Sequence, residues 1–146
     1  VLEALKVNNT IKDMDCWGGK YDHNHSPFST SLAQILRQNT NMISIRLAEP
    51  EFNPEQSYWV GKALTINNTL QEISFVGSQL GFSEAAYILQ SGRRSLSLQH
   101  LDLTSGGMTS ESGHVIGNFL KKSNLKSLDL NNNKIGDKGV SSLIEV

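Results

Sequence analysis

The sequence predicts an α/β solenoid of about five strand–turn–helix units, with a parallel sheet on the concave face and helices on the convex face. Three observations carry that reading. An apolar-x-x-apolar-x-apolar pattern recurs five times, at Ile11/Met14/Cys16, Met42/Ile45/Leu47, Leu70/Ile73/Phe75, Leu98/Leu101/Leu103 and Leu125/Leu128/Leu130, with first positions 31, 28, 28 and 27 residues apart. Within each unit the apolar period widens from two to three or four, the change from a half-buried strand to one face of a helix. Turn formers separate the two: Gly18-Gly19, Pro50 with Pro54, Gly77 with Gly81, Gly106-Gly107, and Asn131 to Asn133 with Gly136. One unit cannot bury its own apolar side, but a stack of units can.

The elements follow in order. Residues 1–10 read as the helical tail of a preceding unit, and Ala4-Leu5-Lys6-Val7-Asn8-Asn9-Thr10-Ile11 recurs nearly letter for letter at Ala63-Leu64-Thr65-Ile66-Asn67-Asn68-Thr69-Leu70. Units begin near residues 11, 42, 70, 98 and 125, so that residues 1–146 form a single repeat domain. The helical faces are Phe28/Leu32/Ile35/Leu36, Val60/Ala63/Leu64 and Ile116/Phe119/Leu120, and Ser141 to Val146 starts a last helix. Both ends read as the middle of a longer chain. Raw repeat ends without polar caps predict self-association or burial against flanking sequence.

Composition narrows the classes of function. The chain has 146 residues, 38% apolar and 18% charged, with 13 basic and 14 acidic side chains and a formal net charge of −1. That balance argues against coating nucleic acid or an anionic membrane, either of which demands a basic excess. No apolar run approaches the roughly 18 residues of a membrane span, and the start, Val1 to Leu5, carries Glu3 and no basic n-region. The single cysteine, Cys16, excludes an internal disulfide framework and a multi-cysteine zinc site. At a core position its thiol is expected to be structural.

The last unit carries a specific signature: Leu125, Leu128, Leu130, Asn133, Ile135, Gly136, Asp137, Gly139 and Leu143. It resembles the leucine-rich repeat, in its ribonuclease-inhibitor-like subtype. The resemblance covers essentially the whole chain and fades toward the start. In that family the Asn133 side chain satisfies backbone groups of the turn behind the strand. Gly19, Pro50, Ser78 and Gly106 fill this position in the other units, so local turns or water must pair those groups there.

Alternation places the in-between side chains on the concave face in three columns. The first holds Asp13, Ser44, Glu72, His100 and Ser127; the second Asp15, Arg46, Ser74, Asp102 and Asp129; the third Trp17, Ala48, Val76, Thr104 and Asn131. Five carboxylates against one guanidinium predict a surface that steers a basic partner. The expected partner-contacting residues are Asp13, Asp15, Trp17, Arg46, Glu72, Ser74, His100, Asp102, Asp129 and Asn131. Trp17 is either an aromatic anchor beside Asp13 and Asp15 or a cap folded over Gly18-Gly19. Trp59, next to Tyr58, is expected to pack between helices.

No enzyme is predicted. The sequence shows no legible catalytic triad, no phosphate loop and no dinucleotide fingerprint. No cofactor is expected, and no metal: Asp22, His23 and His25 fall in the longest loop, at a spacing that fits no helix-borne zinc pair, and read as a solvated contact loop. The resembled subtype also includes the GTPase-activating protein of the Ran cycle, which acts through an arginine in a loop after a strand. Here Arg37, Arg93 and Arg94 fall in or after helices and Arg46 within a strand, which disfavours that activity.

The expected function is therefore a protein–protein interaction module. The second reading is a regulatory or sensing segment of a larger intracellular receptor or bacterial effector. Asn8-Asn9-Thr10, Asn24-His25-Ser26 and Asn67-Asn68-Thr69 match the glycosylation acceptor pattern, yet two of them are the recurring helix-to-strand turn. A cytoplasmic location, or the host cytosol for an effector, is expected.

Overall fold

The computed structural model describes residues 2–17 and 27–145. Among the described residues helices and strands alternate: α1 Leu2–Val7, β1 Asp13–Cys16, α2 Pro27–Gln38, β2 Ser44–Ala48, α3 Pro54–Ile66, β3 Glu72–Val76, α4 Phe82–Gly92, β4 His100–Asp102, α5 Ser112–Leu120, β5 Ser127–Asp129 and α6 Gly136–Ile144. The last helix starts five residues before Ser141, where its apolar period becomes visible, because the polar turn Gly136-Asp137-Lys138 already winds helically. The five strands pair in parallel in chain order, β1-β2-β3-β4-β5, and consecutive helices pack on one another behind them. Neighbouring strands lie about 4.8 Å apart and packed helices about 8–10 Å apart. One strand and one helix per unit therefore make the helical layer longer, and the sheet takes the inner, concave side.

The inward strand residues stack in register, Met14↔Ile45↔Ile73↔Leu101↔Leu128. Ile45 and Ile73 are fully buried and Leu101 nearly so, while Met14 and Leu128 at the two ends are half-buried. Helical residues Leu32, Ile35, Leu36, Val60, Ala63, Leu64, Ile88, Leu89, Ile116 and Phe119 close the core from behind, and Phe52 meets Phe75 edge-on at 5.3 Å. Helix α3 is set by a capping box: Asn53 Oδ1 accepts from the Gln56 amide at 2.8 Å, Gln56 Oε1 accepts from the Asn53 amide at 3.0 Å, and Pro54 opens the helix.

Two recurring devices turn the corners. After each of β2 to β5 one residue takes a left-handed conformation at the same place in the unit: Glu49 (φ 53°), Gly77 (φ 72°), Ser105 (φ 55°) and Asn132 (φ 57°). The amides of Glu49, Gly77 and Ser105 donate to Val76, Thr104 and Asn131 carbonyls of the next unit, at 2.6, 2.9 and 2.9 Å. These turn-to-turn bonds do where Asn133 is missing what its side chain does in the last unit, donating to Leu103 and Leu130 carbonyls and accepting from Met108.

At the helix-to-strand corner a buried asparagine ladder takes over. Asn67 Nδ2 donates to Leu36 and Asn39 carbonyls (2.8 and 3.3 Å), and its Oδ1 accepts from Thr69 and Leu70 amides (3.0 and 2.7 Å). Asn39 repeats the pattern one unit earlier on Leu5, Asn8, Asn41 and Met42. In the following unit two serines divide the work, Ser95 Oγ accepting from Leu98 and Ser97 Oγ donating to the Asn67 carbonyl. The repeated Asn of the sequence is thus a chain of bonds between units.

Candidate functional site

Strand register carries two of the expected columns. Asp13↔Ser44↔Glu72↔His100↔Ser127 and Asp15↔Arg46↔Ser74↔Asp102↔Asp129 are direct partners across successive strands. In the third column Ala48 and Val76 pair within the sheet, while Trp17, Thr104 and Asn131 lie just past the ends of their strands. All ten expected contact residues thus belong to one face or its rim.

Side-chain geometry divides them by role. Arg46 lies between two units and is held by both: Nε and Nη2 donate to Glu72 Oε1 and Oε2 at 2.7 and 3.1 Å, and Nη1 to Asp15 Oδ1 at 3.3 Å. The fork to Glu72 is bidentate, and the hydrogen bond and charge of Glu72, followed by Asp15, hold the guanidinium above its already high pKa. Arg46 therefore neutralises the middle of the face and leaves the negative potential at its flanks. Ser74 is 3% exposed and its hydroxyl donates to Asp102 Oδ2 at 3.0 Å, so it offers little surface of its own and positions Asp102.

Carboxylates of this face without an ion pair among the described residues lie at both flanks, Asp13 on β1 and Asp102 and Asp129 on β4 and β5. Asp102 and Asp129 stand opposite one another in register, a like-charge placement that costs sheet stability. Each accepts one local amide: Asp102 Oδ1 from Thr104 at 2.9 Å, Asp129 Oδ1 from Asn131 at 2.8 Å. Beside them His100 Nδ1 bonds Ser127 Oγ at 2.7 Å. Glu72, His100, Asp102, Ser127 and Asp129 line a shallow depression of about 320 Å³, open to solvent and suited to a cationic side chain. Asp13 is exposed at the far edge, and Trp17 is 65% exposed, which leaves its indole free for contact.

Cys16 is half-buried against the core; burial, then the charge of Asp15, push its thiol pKa up, which disfavours the thiolate that nucleophilic chemistry needs. Arg37 is in α2, Arg93 and Arg94 follow α4, and Arg46 is on β2, so none of the four occupies a strand-to-helix loop. Asp22, His23, His25 and Gly18-Gly19 lie outside the described residues, and among the described residues no group of three or more His, Cys, Asp or Glu could hold a metal ion. No helix among them is long and apolar enough to cross a membrane.

The helical side holds what the sequence reading missed. Trp59 is only partly packed between helices: it lines the crevice between α2 and α3 and stays 47% exposed, because Val60, Ala63 and Leu64 already fill the inner face of α3. Tyr58 meets Trp59 at 5.2 Å and Tyr87 at 6.1 Å, both edge-on, and Lys62 Nζ sits 5.5 Å over the Tyr58 ring. The signal was present, since Tyr58, Lys62 and Ile66 recur at a spacing of four and must share one stripe.

A family model described as "Leucine Rich repeat" matches residues 121–143, the stretch around β5 and α6 where the repeat signature is clearest. Among solved structures the chain is similar to "Leiomodin-1 Actin-Binding Site 2 (ABS2)", with a TM-score of 0.57 and 19% identity over 83% of this chain and 68% of that chain. The fold is that of a leucine-rich repeat solenoid.

Proposed function

We propose that this solenoid is a protein–protein recognition module whose concave sheet face takes a partner presenting basic groups. One observation carries the reading: five parallel strands hold Asp15, Arg46, Ser74, Asp102 and Asp129 in a single registered row, with Asp102 and Asp129 side by side at a cost to the sheet. A rigid face that retains such a pair is suited to a cation supplied by the partner. Trp17 at the other end offers an aromatic plate for a second anchor. The family's general use in protein binding supports the coarser statement, and the fold carries a site titled actin-binding in leiomodin-1, so actin is one protein to include in the test.

The repeat length and the full helix in each unit support the ribonuclease-inhibitor-like subtype. Half-exposed Met14 and Leu128 at the sheet ends support self-association through the end units. Asn67 is 8% exposed with its amide nitrogen committed to two carbonyls, so the acceptor pattern at that one position is unusable in the folded chain.

The test is capture of partners from lysate, with purified actin alongside, by the parent chain and by the double variants Trp17→Ala/Asp15→Arg and Asp102→Arg/Asp129→Arg. Both variants should retain the helical and sheet circular dichroism of the parent and lose the captured protein. Equal capture by all three rejects the sheet face as the site.

A further inference from the structure

A second surface lies on the opposite, helical side. The crevice between α2 and α3 opens into a groove of about 430 Å³ with Ala33 and Gln34 on one wall and Gln56 and Trp59 on the other. It continues into a hollow of about 230 Å³ lined by Arg37, Tyr58, Trp59, Lys62 and Ile66. Arg37 and Trp59 line both, so the two form one trough along α3. The groove is mixed, with Thr30, Gln34, Asn53 and Gln56 beside Ala33 and Trp59, but the hollow has an apolar wall where a surface helix is ordinarily polar: Trp59 is 47% exposed and Ile66 59%.

The charges along the trough are ordered. Glu55 stands where α3 begins, Arg37 where the groove and the hollow meet, and Lys62 in the hollow. Neither cation has a carboxylate partner among the described residues; Lys62 rests on the Tyr58 ring. Arg37, in the last turn of α2, favours the helix dipole there, but Lys62 lies mid-helix and has no such reason. The hollow they line contains no carboxylate.

We infer that this trough docks an amphipathic helix of another protein, with an apolar stripe over Trp59 and Ile66 and its carboxylates against Arg37 and Lys62. Two side-by-side helices present ridges and a groove that a third helix fills by the same packing. The 13 residues of α3 span about 20 Å, room for three to four turns of a partner. Charge chooses the occupant: a basic segment would meet Arg37 and Lys62 unfavourably, and the acidic sheet face is its better target. The two surfaces therefore sort partners of opposite sign, and either can fail without the other.

The experiment uses Trp59 as reporter in a Trp17→Phe background, where it is the one remaining indole. The probes are a synthetic 14-residue peptide with leucines at i, i+3, i+4 and i+7 and glutamates between, the same peptide with lysines for glutamates, and vesicles containing phosphatidylserine. The Glu peptide should shift Trp59 emission saturably and the Lys peptide should not. Arg37→Glu/Lys62→Glu should weaken the Glu peptide roughly tenfold or more and gain binding of the Lys peptide. That exchange of preference cannot come from a variant that fails to fold. No saturable shift with the Glu peptide, equal binding by the charge-reversed variant, or a response to vesicles alone overturns the proposal.

Discussion

Asn67→Ala tests the ladder that joins the units. Asn67 is buried, and truncation removes two donors to Leu36 and Asn39 carbonyls and two acceptances from Thr69 and Leu70 amides. A typical internal hydrogen bond contributes about 1 kcal/mol net, and a buried group left unpaired costs about 1–3 kcal/mol. A water entering the vacated space recovers part of this. The expected loss is therefore about 3 kcal/mol, read as a lower urea midpoint with an unchanged slope. Asn67→Ser, the residue found at Ser95 in the next unit, keeps one acceptor and should lose roughly half as much. Asn8 is half-buried, and its side chain accepts from the Thr10 and Ile11 amides at 3.0 and 2.8 Å without donating to a carbonyl of another unit, so Asn8→Ala should cost no more than about 1 kcal/mol. A loss below about 1 kcal/mol for Asn67→Ala, or an equal loss at Asn8, would refute the ladder as the joint between units.

Three other outcomes follow from the same geometry. A methyl at Gly113 would stand 2.1 Å from the Gly139 carbonyl oxygen where α5 meets α6, so Gly113→Ala should cost more than about 2 kcal/mol by thermal or urea melting, with the largest loss of amide protection in α6. Arg46→Met removes the links to Glu72 and Asp15, but the pair is part-exposed, with side-chain exposures of 39% and 31% for Arg46 and Glu72; the loss should be about 1 kcal/mol or less and shrink in 1 M salt. Cys16 has its thiol pKa raised, chiefly by burial. The native state thus holds that proton more tightly than the unfolded chain, a contribution present below the unfolded pKa and lost as pH rises through the folded one. Iodoacetamide at pH 8 should accordingly alkylate Cys16 more slowly in the native protein than in urea; equal rates would place the thiol in water.

Local pattern determined a great deal here. The alternation through Ile11 to Trp17 and its four repeats assigned every strand, its inward column and its outward rows, because a strand's side chains alternate whatever surrounds them and a near-constant period aligns the rows. The left-handed corner was less visible. Glu49, Ser105 and Asn132 share a position with Gly77 but not a residue type, so only the backbone shows that all four bend alike.

What the tertiary structure decided are relations between residues about 28 apart in the chain and in contact across neighbouring units. Whether Arg46 meets Glu72 or solvent, whether Ser74 is covered, and which carbonyls take the Asn67 amide depend on distances of a few ångströms set by packing, and no composition or period encodes them. The same holds for Trp59. Its place on α3 follows from spacing, but its exposure follows from the crevice that α2 leaves beside it, since a helix has an outer face only once its neighbours have chosen the inner one.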